Sequence, residues 1–287
     1  MKSYLSRSYK KYVGGIFRQM KPYVWVFNIV SFVLIVNCFS FRRFSLVRML
    51  IGVGAGIVFT VLWALIGALI IAKKNEKLYS VLDEYGYSVE YLRAYESERI
   101  LGKPFRLQYA AEYSEIFVNI GQPADALKYL NSIIIPPNAP INEKISFFVV
   151  YVVAALKTGN VQLAESVWSN WQGVLNSARN EPSYASVSYM IYLSLILIDC
   201  CAGRVQRAYD QTVSYMNSPL YKRYPLPNPD FDILMLYELN ALGRTDEAAA
   251  LYPSVKSKID KFDPLFAALK EKNVREFNKA ARGEIPL

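Results

Sequence analysis

Histidine is absent from all 287 residues, and cysteine occurs only three times, at Cys38 and the adjacent pair Cys200 and Cys201. The first absence removes the commonest general base, the histidine-bearing triads and the histidine-containing metal sites. The second leaves too few thiolates for a four-ligand metal site, because neighbouring positions on a helix point about 100° apart. Cys200 and Cys201 read instead as small buried hydrophobes, and such sparse cysteine fits a reducing compartment. A glycine-rich phosphate loop is also lacking, since GVGAG at 52–56 sits inside an apolar run rather than after a strand. Glu112 and Glu115 share a helix face and read as a solvated charged surface. No enzymatic chemistry, cofactor or metal is expected.

Acidic residues are missing from positions 1–75, which hold eleven Lys or Arg. The formal charge of +9 belongs to that segment, because the rest of the chain carries 22 basic and 24 acidic residues. Nucleic-acid binding needs a basic face on the folded domain, so no nucleic-acid partner is expected. Basic residues beside apolar runs suit a membrane surface.

Two uncharged runs dominate that segment. Tyr23–Phe41 follows a basic tail at 1–22, and Met49–Ala72 follows a short connection at 42–48. At 1.5 Å per residue, each is long enough for a hydrocarbon core of about 30 Å. The expectation is an integral protein with two spans in the lipid bilayer. Six basic residues precede the first run, and Lys73, Lys74 and Lys77 follow the second, which puts both termini and the downstream domain in the cytoplasm, at the plasma membrane. Gly52, Gly56, Thr60, Ala64 and Ala68 recur every fourth residue and lay a strip of small side chains along the second run. That strip is either a homodimer seam or the surface that receives the first run.

After Lys73 the pattern changes to short helical segments. Residues 73–104 read as a helical linker or an extra hairpin. Across 105–262 four glycines, Gly121, Gly159, Gly203 and Gly243, each close an apolar helix and are followed five residues later by Ala126, Ala164, Ala208 and Ala248. A left-handed residue is needed at such a helix end, and a small one where the second helix crosses the first. The apolar stretches 145–156 and 187–198 are too short to cross a membrane and belong in the middle of a stack. Replacing Phe148 or Leu195 with Asp is expected to unfold the domain.

These segments resemble tetratricopeptide repeats, as in GQPADALKYL and GRTDEAAALY. The likeness covers a little over half the chain and departs from the family pattern in places. Only Ser114 is small seven residues before its glycine, and Ile133, Trp171, Tyr215 and Val255 stand where the second helix is usually small. The resemblance implies an all-α chain: a transmembrane hairpin, then an α-solenoid of four degenerate repeats, then a capping helix and tail at 263–287. It also implies a groove lined by the first helix of each repeat, at Glu115, Val149, Val153, Leu193, Leu197, Ile233 and Tyr237. Few of these could grip a terminal carboxylate, so the expected ligand is an amphipathic helix of a partner protein. The alternative is that the C-terminal helix covers part of the groove. The functional expectation is a membrane-anchored, non-catalytic scaffold or adaptor. The runner-up is an accessory subunit of a membrane transport or secretion complex.

Overall fold

The computed structural model describes residues 25, 29, 46–97, 106–179, 181, 185–223, 229–263 and 267–287. Among the described residues there are twelve helices and no strand. They are α1 (Leu46–Tyr85), α2 (Val89–Ser97), α3 (Arg106–Asn119), α4 (Pro123–Asn131), α5 (Ile141–Lys157), α6 (Val161–Arg179), α7 (Ala185–Cys201), α8 (Val205–Asn217), α9 (Pro219–Arg223), α10 (Asp230–Ala241), α11 (Thr245–Asp260) and α12 (Ala267–Ala281). The chain divides into two compact units, Met1–Ser80 with Glu98–Gly102, and Val81–Ser97 with Lys103–Leu287.

The second unit is built from paired helices. Gly121, Gly159, Gly203 and Gly243 take φ of 83°, 76°, 75° and 72° and turn α3 into α4, α5 into α6, α7 into α8 and α10 into α11. In each turn the amide after the glycine reaches back to a carbonyl five residues earlier. These bonds run from Gln122 to Phe117 (2.8 Å), Asn160 to Ala155 (3.0 Å), Arg204 to Asp199 (2.9 Å) and Arg244 to Leu239 (2.9 Å). This is the Schellman closure of a helix end, and it satisfies carbonyls that would otherwise have no partner. Ala126, Ala164, Ala208 and Ala248 are all buried.

Successive pairs stack. The first helices pack on one another, α3 on α5 and α5 on α7, while α4, α6 and α8 pack on the next first helix. Helix α10 departs from this order, lying chiefly against α8 and α12 and only lightly against α7. Phe148, Leu175, Ile191, Ile196, Phe231 and Leu236 are buried in the shared core. Helix α5 is buried on nearly all sides, as its apolar run requires.

Upstream of the pairs, Gly86 at φ 64° turns the end of α1 into α2. Tyr91 and Tyr95 of α2 are buried, and Tyr95 stacks on Tyr109 of α3 at 5.5 Å between ring centroids. The Tyr95 hydroxyl donates to Glu112 (2.7 Å), and that of Tyr113 donates to Glu96. The linker expected at 73–104 thus holds the end of α1 and a short helix seated on the first pair. Residues 98–105 lie outside the described residues.

The membrane expectation is corrected. The run at 49–72 is not a self-contained element, because α1 carries it without a break into Lys73, Lys74, Glu76, Lys77, Asp83 and Glu84. Among the described residues no helix is long and apolar enough to cross a membrane. An integral protein with two spans, placed at the plasma membrane with both termini and the repeats in the cytoplasm, is therefore unsupported. The other expected span, 23–41, lies outside the described residues except for Trp25 and Ile29. Gly52, Gly56, Thr60, Ala64 and Ala68 all lie on α1, in the first unit.

Candidate interaction groove

The residues expected to line an open groove are mostly covered. Val149, Leu197, Ile233 and Tyr237 are buried, Val153 and Leu193 are half-buried, and only Glu115 is exposed. Helix α12 accounts for the cover at α10. The Asn240 side-chain amide donates to the Ala280 carbonyl at 3.0 Å, and the Phe277 ring lies 4.9 Å from that of Tyr252 on α11. Ala268, Asn273, Phe277 and Ala280 form the buried stripe of α12. At its start, the Ala267 amide donates to the Asp83 carboxylate at the end of α1, at 3.2 Å. The two ends of the stack therefore meet at α12.

A polar centre lies along a neighbouring face of α12. Lys272 pairs with Glu276 at 3.7 Å. The Glu276 carboxylate holds the Lys272 ammonium above the ordinary lysine range against the opposing effect of burial, and Asp230 and Glu115 add to it. Those acids belong to the fourth and first pairs, so one cation on α12 senses both ends of the stack. Lys157, in the last turn of α5, has the opposite surroundings. Burial first, and then the Lys272 charge, bring it down to about 8, with Lys279 and Arg275 adding to the lowering and Glu276 opposing it. Like charges and desolvation both disfavour its ammonium form.

Two further buried polar groups tie neighbouring pairs together. Asp199, at the end of α7, accepts from Arg204 (2.7 Å), Arg207 (3.1 Å) and Gln211 (2.8 Å), and Arg204 also pairs with Glu165 of α6 (2.7 Å). Glu238 of α10 is fully buried and accepts from Thr212 of α8 at 2.8 Å, and burial pushes its carboxyl up to about 8. Burial also raises the thiols of Cys200 and Cys201, the latter to about 11, which keeps both in the poorly nucleophilic form at neutral pH. Among the described residues no group of three His, Cys, Asp or Glu side chains could hold a metal ion.

Glu115, expected in the groove, is exposed and its charge acts on Lys272, while Asp83, Lys157 and Lys272 are not among the residues the sequence singles out. For Asp83 the sequence held no signal, because its partner Ala267 is 184 positions away, while Lys272 showed only its i,i+4 spacing to Glu276. Asp199 is the lone carboxylate of an otherwise apolar helix, whereas Glu238 shares α10 with Asp230 and Asp232. Compared with known proteins, the chain matches no family model, no curated protein and no solved structure.

Proposed function

We propose that this chain is a non-catalytic protein-interaction module, a degenerate tetratricopeptide-like α-solenoid whose concave face takes a helix from a partner protein. One observation carries the reading. Four helix pairs share one left-handed glycine turn and one buried alanine, and an amphipathic helix, α12, already lies on the first helix of the last pair. A surface that seats one such helix has the apolar floor and flanking charges that helix-in-groove recognition uses.

The test is site-specific photo-crosslinking. A photoreactive residue replaces the half-buried Val153 or Leu193 in the full chain, expressed in the cells that make it. The reading expects adducts with a second polypeptide, mapped to a helical segment. Adducts confined to residues 267–287 of the same chain, with partner adducts arising only from probes on the second helices, would overturn it.

A further inference from the structure

We propose that the cavity between the first two helix pairs seats a proline-rich segment of a partner protein, held in the polyproline II conformation with its carbonyls toward Asn131 and Asn170. The site is separate from the helix groove, since none of the cavity's residues is among those expected to line that groove.

The cavity measures about 250 Å³ and opens between α4, the connection that follows it, α5 and α6. Phe147 and Phe148 form its buried floor, Tyr151 and Trp171 stand half-buried beside them, and the exposed amides of Asn131 and Asn170 form the rim. Ile133 and Ile135 of the connection also line it, while Ile134 between them is 79% exposed and leaves apolar surface next to the opening. Pockets that enclose a small molecule are usually larger, about 300–1,000 Å³. The room here suits one or two side chains of an extended segment that runs past the opening. Among the described residues no charged side chain lines the cavity, so neither an acidic nor a basic partner is selected.

The hydrogen-bonding character of the rim decides the occupant. The Tyr151 hydroxyl donates to Asn131 Oδ1 at 2.6 Å, which orients that amide and leaves its two N–H groups to offer. The indole N–H of Trp171 can only donate. Among the described residues neither that group nor the Asn170 amide has a hydrogen-bond partner. Proline has no N–H, and a polyproline II segment makes no internal hydrogen bonds, so it brings carbonyl acceptors and no donors. A strand would bring N–H groups for which this rim has few acceptors, and the carbonyls of a helix are already bonded within it. Aromatic-lined grooves that take proline-rich segments combine these same parts.

The probe is a fluorescently labelled oligoproline of about ten residues, titrated into the full chain and followed by anisotropy. It should bind saturably, and at least about tenfold more tightly than a Gly–Ser peptide of equal length, which loses more freedom on binding. Raising the salt should leave that affinity within about twofold. Trp171→Ala should weaken binding at least about tenfold. Asn131→Asp keeps an acceptor for the Tyr151 hydroxyl but removes the donor, and should weaken binding about fivefold at an unchanged Tm.

Asn131→Asp decides the matter even where Trp171→Ala fails to fold. Equal binding of the two peptides, or full affinity in Asn131→Asp, overturns the proposal. Displacement of the oligoproline by an amphipathic helical peptide would assign the cavity to a helix and overturn it too. A dimer of the unaltered chain that Asn131→Asp converts to a monomer would assign the cavity to a second copy, with the same consequence. Photo-adducts at Val153 or Leu193 report on the groove alone, so either reading can fail while the other stands.

Discussion

The Asp83 carboxylate accepts a 3.2 Å hydrogen bond from the Ala267 amide, joining residues 184 apart in sequence. An amide in the first turn of a helix has no partner within that helix, and a carboxylate there also meets the positive end of the helix dipole. Asp83 thus supplies to α12 what a local capping residue supplies elsewhere.

Asp83→Ala should therefore loosen one end of α12 without disturbing the stack. The expected cost is about 0.5–1 kcal/mol, seen as faster hydrogen exchange at 267–270 with unchanged exchange in α10. Equal acceleration in both helices would show that the bond holds more than α12.

The hairpin glycines are required by their backbone and not by crowding. A Cβ built on Gly159 or Gly203 meets nothing within 4 Å, yet both have φ near 75°. Gly159→Ala or Gly203→Ala should each cost about 1–2 kcal/mol through left-handed strain, and Asn at the same place should cost less. Thermal unfolding of the three variants in parallel checks the order.

Glu238 makes stability depend on pH. Its folded value of about 8 lies above the unfolded carboxyl at about 4.3, so the unfolded chain loses this proton first as pH rises. The contribution of the protonated group is fully present below about pH 4.3, shrinks above it and is lost once pH has passed through the folded value. Glu238→Gln keeps an acceptor for Thr212 and removes the dependence. Urea unfolding at pH 5 and pH 8 should show the variant gaining on the unaltered chain at the higher pH, by roughly 2–4 kcal/mol. The nearby Tyr237 phenol is pushed up to about 12 and stays neutral throughout that window.

Phe148 and Leu195 separate core from surface on neighbouring first helices. The sequence expectation was that Asp at either position unfolds the domain. Phe148 is 1% exposed and packs between Trp168 and Trp171, whereas Leu195 is half-buried. Phe148→Asp should abolish the cooperative thermal transition, and Leu195→Asp should only lower it, because part of its side chain stays in water.

Much of the second unit was legible because its determinants are local. A glycine closing an apolar helix with an alanine five residues later specifies a turn and a crossing, and all four such pairs fold into hairpins. Helix α9, by contrast, lies in a stretch rich in proline, where local composition favours a loop. Its Tyr221 packs against Tyr215 and Phe231, a tertiary contact that local composition does not announce. The covering of α10 by α12 stood in the sequence only as the alternative to an open groove, because no short motif records which distant helix a terminal segment meets. Hydropathy suggested two membrane spans, yet among the described residues no helix is long and apolar enough to cross a membrane.

The most direct measurement is a disulfide lock in the full chain. A Cβ at Gly283 would lie 4.0 Å from the Cβ of Asn240, within the range a disulfide spans. With Asn240→Cys and Gly283→Cys together, the bridge should form faster in the folded chain than in urea, even though Cys is strained at the left-handed backbone of Gly283. A bridge that forms no faster in the folded chain than in urea would contradict the seat of α12 on α10.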